Sequence, residues 1–291
     1  MRIEEALERF QTQLEADGRS VHTRRQYLRH VRLLAHWARD VGGSGDELEA
    51  LDHEAIARFL AHSGATRCAD GSAKKATAMN CLRSSIKCFF GHCHRAGYIA
   101  QDPGRLTRRA RCAPPPPRAI SEEDQKRLLD VLAKATGPEA ERDYMLFHLL
   151  IATGVRIGSS IAIDVADVDL DKSEIRVRTM KGDRPDVVFL GKAIAEHLRR
   201  YVAGKATGTL FTGRNGQRIT TRHAQRRFGH WIKAAGITKK FSPHSCRHAF
   251  GMRIYSKTHD LLLTKEALRH RSIASTLVYA KADETRLRAA L

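Results

Sequence analysis

The chain has 291 residues, 42% hydrophobic and 29% charged, and its 51 Lys and Arg against 32 Asp and Glu give a net charge of +19. That length predicts two domains, each burying a core of its own, and the composition is that of an ordinary globular protein. No stretch approaches the about 20 apolar residues of a membrane span, and no basic amphipathic anchor is apparent, so a membrane partner is not expected. A field this positive concentrates polyanions, of which nucleic acid is the commonest large one. The opening MRIEEALERF lacks an apolar secretory core, and the six cysteines form no CxxC pair, which points to a cytoplasmic protein with reduced thiols.

From the N-terminus, Ile3, Leu7, Phe10 and Leu14 recur at helical spacing, and Tyr27, Val31, Leu34 and Trp37 make a second stripe. The second helix also carries Arg24, Arg25, Arg29 and Arg32. Asp52 reads as the N-cap of a third helix with Ile56, Phe59 and Leu60 inward. A fourth, over 73–95, bears Lys74, Lys75, Arg83 and Lys87 around the stripe Met79, Leu82, Ile86, Phe89 and Cys93. Each of these cations alone reads as solvated surface; as a group they read as contacts to backbone phosphates. Cys88, His92, Cys93 and His94 are near neighbours that invite a metal, but their stripe is the buried face of a helix, and no metal is assigned.

CAPPPPRAI at 112–120 is the clearest boundary, because four consecutive prolines cannot continue a helix and favour a stiff spacer. Residues 1–113 are the first domain, 114–119 a Pro-rich linker and 120–291 the second. Basic residues exceed acidic ones on both sides, as two domains sharing one DNA duplex require. In the second half, Ser121 caps a helix with acids in its first turn. DYMLFHLLIA (143–152) reads as a buried helix stopping at Thr153–Gly154. EIRVRTM and DVVFL flank KGDRP as a short hairpin. Helices follow over 192–203, 221–235, 243–256 and 260–269, with a last one from about 283.

The chemistry-bearing positions lie in this second half. In SPHSCRHAF, Ser242 is an N-cap and Pro243 the first helical residue, which puts His244 and Arg247 on one face near a helix N-terminus that attracts phosphate. Arg156 follows a turn at the end of a buried helix, so two planar guanidiniums can clamp a phosphate and offset charge at a five-coordinate phosphorus. Lys181 sits at the hairpin tip, in reach of a leaving oxygen, although exposed hairpin lysines are commonly inert. His270 and Tyr279 lie in ALRHRSIASTLVYA. A phenol of pKa about 10 is ionised in only about one molecule in a thousand at neutral pH, so Tyr279 needs a base or strong positive potential to act as a nucleophile. Tyr27, Tyr98, Tyr144 and Tyr201 read as packing, and Tyr255 is the rival candidate.

These boxes, in this order, resemble the tyrosine site-specific recombinases, or phage integrase family. ATGVRIGSSIAIDVADVDL is similar to that family's first arginine motif, TMKGDRPDVVFL to its lysine hairpin and SPHSCRHAF to its HxxR box. ALRHRSIASTLVYA is similar to its LGH…Y element, and TRRQYLRHVRLLAHWA with FFGHCHRAGYIAQDP to its helical core-binding domain. Two positions depart: Ser159 stands where the family often has an acid, and Arg269 where it has a glycine, a change that could alter how His270 is presented or add a phosphate contact.

The resemblance implies a mainly α fold with a small β-sheet. An N-terminal helical, SAM-like core-binding domain and a C-terminal mixed α/β catalytic domain would clamp DNA, in a two-domain Xer-like architecture. It implies strand cleavage and rejoining through a 3′-phosphotyrosyl bond on Tyr279, without metal, ATP or cofactor. Arg156, Arg247 and His270 would hold the transition state, Lys181 would act as general acid and His244 would assist proton transfer. The implied partners are a double-stranded recombination site and, through a Holliday junction, three further copies in a tetramer formed from free monomers or weak dimers, with Leu287 and Leu291 packing on a neighbour. A type IB topoisomerase-like enzyme and a catalytically silent DNA-binding relative are the alternatives.

Overall fold

The computed structural model describes residues 1–43, 45–112, 117–177, 186–205, 207–270 and 272–280. The chain divides into two compact units, Met1–Ala113 and Pro114–Leu291. The hairpin tip with Lys181, most of the proline run and the tail with Leu287 and Leu291 lie outside the described residues.

The first unit is helical: α1 (Ile3–Ala16), α2 (Val21–Asp40), α3 (His53–Ala61), a single turn α4 (Ser63–Thr66) and α5 (Ala76–Arg95). Each apolar stripe finds a partner because the stripes of α1, α2 and α5 face one another. Phe10 meets Phe89 edge-on at 5.4 Å between ring centroids, while Val31, Leu34, Ile86 and Cys93 are fully buried. Polar caps set the ends: Ser20 Oγ accepts from the amide of Thr23 at 3.2 Å and Asp52 Oδ1 from that of Ala55 at 2.7 Å. Cys93 packs in this core, where burial lifts its thiol to about 12. The turn α4 carries no apolar periodicity of its own, which is why the stripes did not predict it.

The second unit is built around α7 (Pro138–Thr153), which packs against α6 (Glu122–Lys134) on one side and against α8 (Ile157–Ile161), α9 (Lys192–Val202), α10 (Thr221–Ala234) and α11 (Pro243–Thr258) on the others. The helix begins five residues before the apolar run expected at 143. Its first turn is polar, with Pro138 at N1, and Arg142 and Asp143 are buried as a pair. Asp143 accepts from Arg142 at 2.6 Å, from Arg227 Nε at 2.5 Å and from Trp231 Nε1 at 2.8 Å, joining α7 to α10. The hairpin is part of a three-stranded antiparallel sheet, β1 (Val168–Asp169), β2 (Glu174–Val177) and β3 (Asp186–Phe189), with Ile175 opposite Val188 and both buried. After α11 come α12 (Leu261–Leu268) and a short α13 (Leu277–Ala280) ahead of the tail.

Candidate active site

α7 ends at Gly154, which holds a left-handed φ of +64°. Glycine is required twice over, since a Cβ there would stand 2.5 Å from the ring of Phe250 on α11. The reversal throws Arg156 out as the exposed N-cap residue of α8.

Arg247 is its buried counterpart, 4% exposed. Its Nη1 donates to the Gly154 carbonyl at 2.7 Å, and its Nη2 donates to the Leu268 carbonyl. Both acceptors lie at helix C-termini, where the backbone dipoles converge negative charge, so these carbonyls hold the guanidinium with no carboxylate partner among the described residues. The guanidinium has more N–H groups than these two carbonyls use. Burial, together with Arg156 and opposed by Tyr279, brings Arg247 down to about 10. It is therefore charged at neutral pH.

Ser242 and Pro243 start α11 as expected, and a capping box between Ser242 and Ser245 closes that end. His244, Arg247, His248 and Gly251 follow on the face that meets α12 and α13. Burial, reinforced by Arg247 and Arg156, lowers His244. His270 follows α12, its Nδ1 2.9 Å from Oγ1 of the fully buried Thr276. That bond orients the ring and leaves Nε2 for another partner. Burial first, then Arg247 and Arg156, pushes His270 to about 4, so the imidazole is neutral.

Tyr279 lies on α13 at 3% exposure, in a small cluster with Leu268 and Tyr255. Burial raises its phenol, and Arg247 works against that rise. Its oxygen is 3.2 Å from Nδ1 of His248. The rival Tyr255 is also buried, with its ring 6.0 Å from that of His259.

The site thus brings Arg156, His244, Arg247, His270 and Tyr279 into one electrostatic neighbourhood from α7–α8, α11, the end of α12 and α13. His248 was missed by the sequence reading. The signal was present: it lies four residues after His244, hence on the same helix face.

The basic residues of the first unit divide into two groups. Arg25, Arg29 and Arg32 are exposed at i, i+4 and i+7 along α2, and Lys75 and Lys87 are exposed at the start and middle of α5. Arg24 pairs with Glu15, Lys74 donates to the Ala65 carbonyl at 2.7 Å, and Arg83 donates to Asn80 at 3.2 Å. Arg269, in the second unit, is half-buried and left-handed (φ +52°). It donates to the carbonyls of Ala267 (3.2 Å) and Val187, and its Nε is 3.8 Å from Asp186, so it ties the turn before His270 to β3. Among the described residues no group of three or more His, Cys, Asp or Glu could hold a metal, and no helix is long and apolar enough to cross a membrane.

The family model described as "Phage integrase family" matches residues 118–286, and that described as "Phage integrase, N-terminal SAM-like domain" matches residues 7–97. The tyrosine recombinase XerC of Chromohalobacter salexigens is 31% identical over 285 residues, covering 96% of this chain and 91% of that relative. The XerH site-specific recombinase bound to palindromic difH substrate, in a post-cleavage complex, superposes with a TM-score of 0.75 at 19% identity, over 96% of this chain and 83% of that one. A lambda integrase tetramer bound to a Holliday junction gives 0.72 at 17% identity, over 94% and 78%.

Proposed function

We propose, from the premise that this chain belongs to the phage integrase family and is a site-specific tyrosine recombinase, that Tyr279 is its nucleophile. The supporting observation is a buried phenol facing a buried, carbonyl-anchored guanidinium, with neutral imidazoles around them. Tyr279 attacks the scissile phosphate, forming a 3′-phosphotyrosyl bond and releasing a 5′-hydroxyl strand. Arg156 and Arg247 bind the non-bridging oxygens and oppose the charge that builds on them, and His270 donates to the same phosphate. Lys181 protonates the departing 5′ oxygen, and His244 assists proton transfer. The phosphodiester energy is kept in the protein–DNA ester, so neither ATP nor a metal is needed.

A 5′-hydroxyl from a second duplex reverses the step and exchanges strands through a Holliday junction. The working assembly is four protomers on two double-stranded sites, formed from monomers or weak dimers in the cytoplasm. The solved lambda integrase tetramer on a Holliday junction supports that stoichiometry by likeness of fold. The exposed row Arg25, Arg29 and Arg32, with Lys75 and Lys87, supplies phosphate contacts from the first unit.

A nicked suicide duplex tests the reading. A covalent protein–DNA adduct is expected from the wild type and from Tyr255→Phe, and none from Tyr279→Phe. An adduct that persists in Tyr279→Phe rejects the assignment. Exchange between two labelled duplexes, as against relaxation of a single circle, then reports recombination.

A further inference from the structure

We infer that His248 is a further catalytic residue of this site: its Nδ1 takes the phenolic proton of Tyr279 as the phenol oxygen bonds to phosphorus. The inference rests on the reading of Tyr279 as the nucleophile. It supplies what that reading leaves unassigned, the immediate destination of the nucleophile's proton.

Three observations carry it. First, His248 Nδ1 stands 3.2 Å from the Tyr279 oxygen, within proton-transfer reach, and among the described residues this is the side-chain hydrogen bond the phenol makes. His244 makes no such bond; its ring meets that of His248 edge-on at 4.6 Å, one helical turn back along α11. Second, Tyr279 is only 3% exposed, so bulk water is not at hand to receive the proton and a protein group must. Third, among the described residues the groups facing His248 are His244 and Arg247 on its own helix, His270 after α12 and Tyr279 on α13, and the acceptor is uncharged. Burial, then His244 and Arg247, holds the imidazole near 4, so at neutral pH it offers a lone pair.

The phenolic O–H bond breaks and its electron pair forms the new O–P bond, while the proton passes to His248 Nδ1. The bond from phosphorus to the 5′ oxygen breaks, and that oxygen takes a proton from the general acid assigned to Lys181. On rejoining, the 5′-hydroxyl attacks phosphorus and His248 returns its proton to the departing tyrosine oxygen. Because the phenol is raised and the imidazole lowered, the proton moves together with O–P bond formation. No free phenolate accumulates. The phosphodiester's own negative charge, brought in beside the imidazole, strengthens it as a base.

Single-turnover adduct formation on the nicked duplex tests this with His248→Ala and with His248→Asn, whose amide oxygen can still accept a hydrogen bond but does not hold a proton. Both are expected to slow adduct formation about 100-fold while binding the duplex within about twofold of wild type. The rate of His248→Ala is expected to climb about tenfold per pH unit between pH 7 and 9, as the phenolate becomes populated without a base, while the wild-type rate climbs less. Sulfur in place of the bridging 5′ oxygen removes the need for an acid, so it should restore Lys181→Ala and leave His248→Ala slow. The inference is overturned if either His248 variant cleaves at or above the wild-type rate, if the pH profiles run parallel, or if the sulfur substrate rescues His248→Ala. A wild type that forms no adduct, or an adduct surviving in Tyr279→Phe, rejects the nucleophile reading and this inference together.

Discussion

The ring of Tyr279 lies directly on the backbone of Gly251: a Cβ at position 251 would stand 2.6 Å from its Cζ and 2.9 Å from Cδ1 of Leu268. The candidate nucleophile is therefore seated by an absence on α11, one turn beyond Arg247. Gly251→Ala gains helix propensity but forces the ring out of its seat, which is an overpacking cost of about 1–3 kcal/mol. The expected result is a loss of at least about tenfold in adduct formation with duplex binding retained. A gel-shift titration beside a suicide-substrate time course measures both.

Arg247 reaches two carbonyls on separate helix ends, a fork that one ammonium cannot reproduce. Arg247→Lys should keep the local charge, fold with a lowered melting temperature, and cut strand cleavage by about 100-fold or more. Cleavage within a few-fold of wild type would show that charge without planar geometry is sufficient there.

Asp143 is the hub through which Arg142, Arg227 and Trp231 join α7 to α10. Asp143→Ala strands a buried guanidinium and costs about 3–5 kcal/mol. Denaturant unfolding should show this in the transition of the second unit and leave that of the first unchanged.

Burial holds His30 and His197 near 4, the latter with His148 2.9 Å away. The fold thus binds protons more weakly than the unfolded chain, whose imidazoles titrate near about 6.5. Their contribution to stability is fully present above that pH and is lost as the pH falls toward 4. Urea midpoints should hold steady from pH 8 to 7 and drop between pH 6 and 4.5, with a shallower drop for the second unit in His197→Phe.

Arg269 combines a left-handed backbone, unfavourable by about 1 kcal/mol for a residue with a Cβ, with a side chain anchored on Val187 and Asp186. Arg269→Gly relieves the backbone while losing the anchor; Arg269→Ala loses the anchor and keeps the strain. Ala is therefore expected to be less stable than Gly, by about 1 kcal/mol in a thermal or denaturant melt. Equal stabilities would mean that the backbone relaxes once the tether is cut.

The helical stripes were legible in the sequence because period 3.6 leaves its mark on any amphipathic helix: Ile3, Leu7, Phe10 and Leu14 are buried along α1 as their spacing requires. Gly154 and Ser242 announced their helix ends through local backbone chemistry. The start of α7 was not legible, since Arg142 and Asp143 look like surface residues until their partners in α10 are known.

Arg24, Lys74 and Arg83 look no different in sequence from Arg25, Arg29 and Arg32, yet the first three are held by Glu15, a backbone carbonyl and Asn80, while the others face outward. The sequence by itself determined which residues could bear charge, cap a helix or lose a proton, for these are properties of the side chain and its near neighbours along the chain. Only the tertiary structure decided that Arg247 would lie between Gly154 and Leu268, and that His248, one turn after His244 on the same helix face, would meet Tyr279. A side chain's burial and its partner are set by segments tens of residues away, and a linear pattern carries no distance between them.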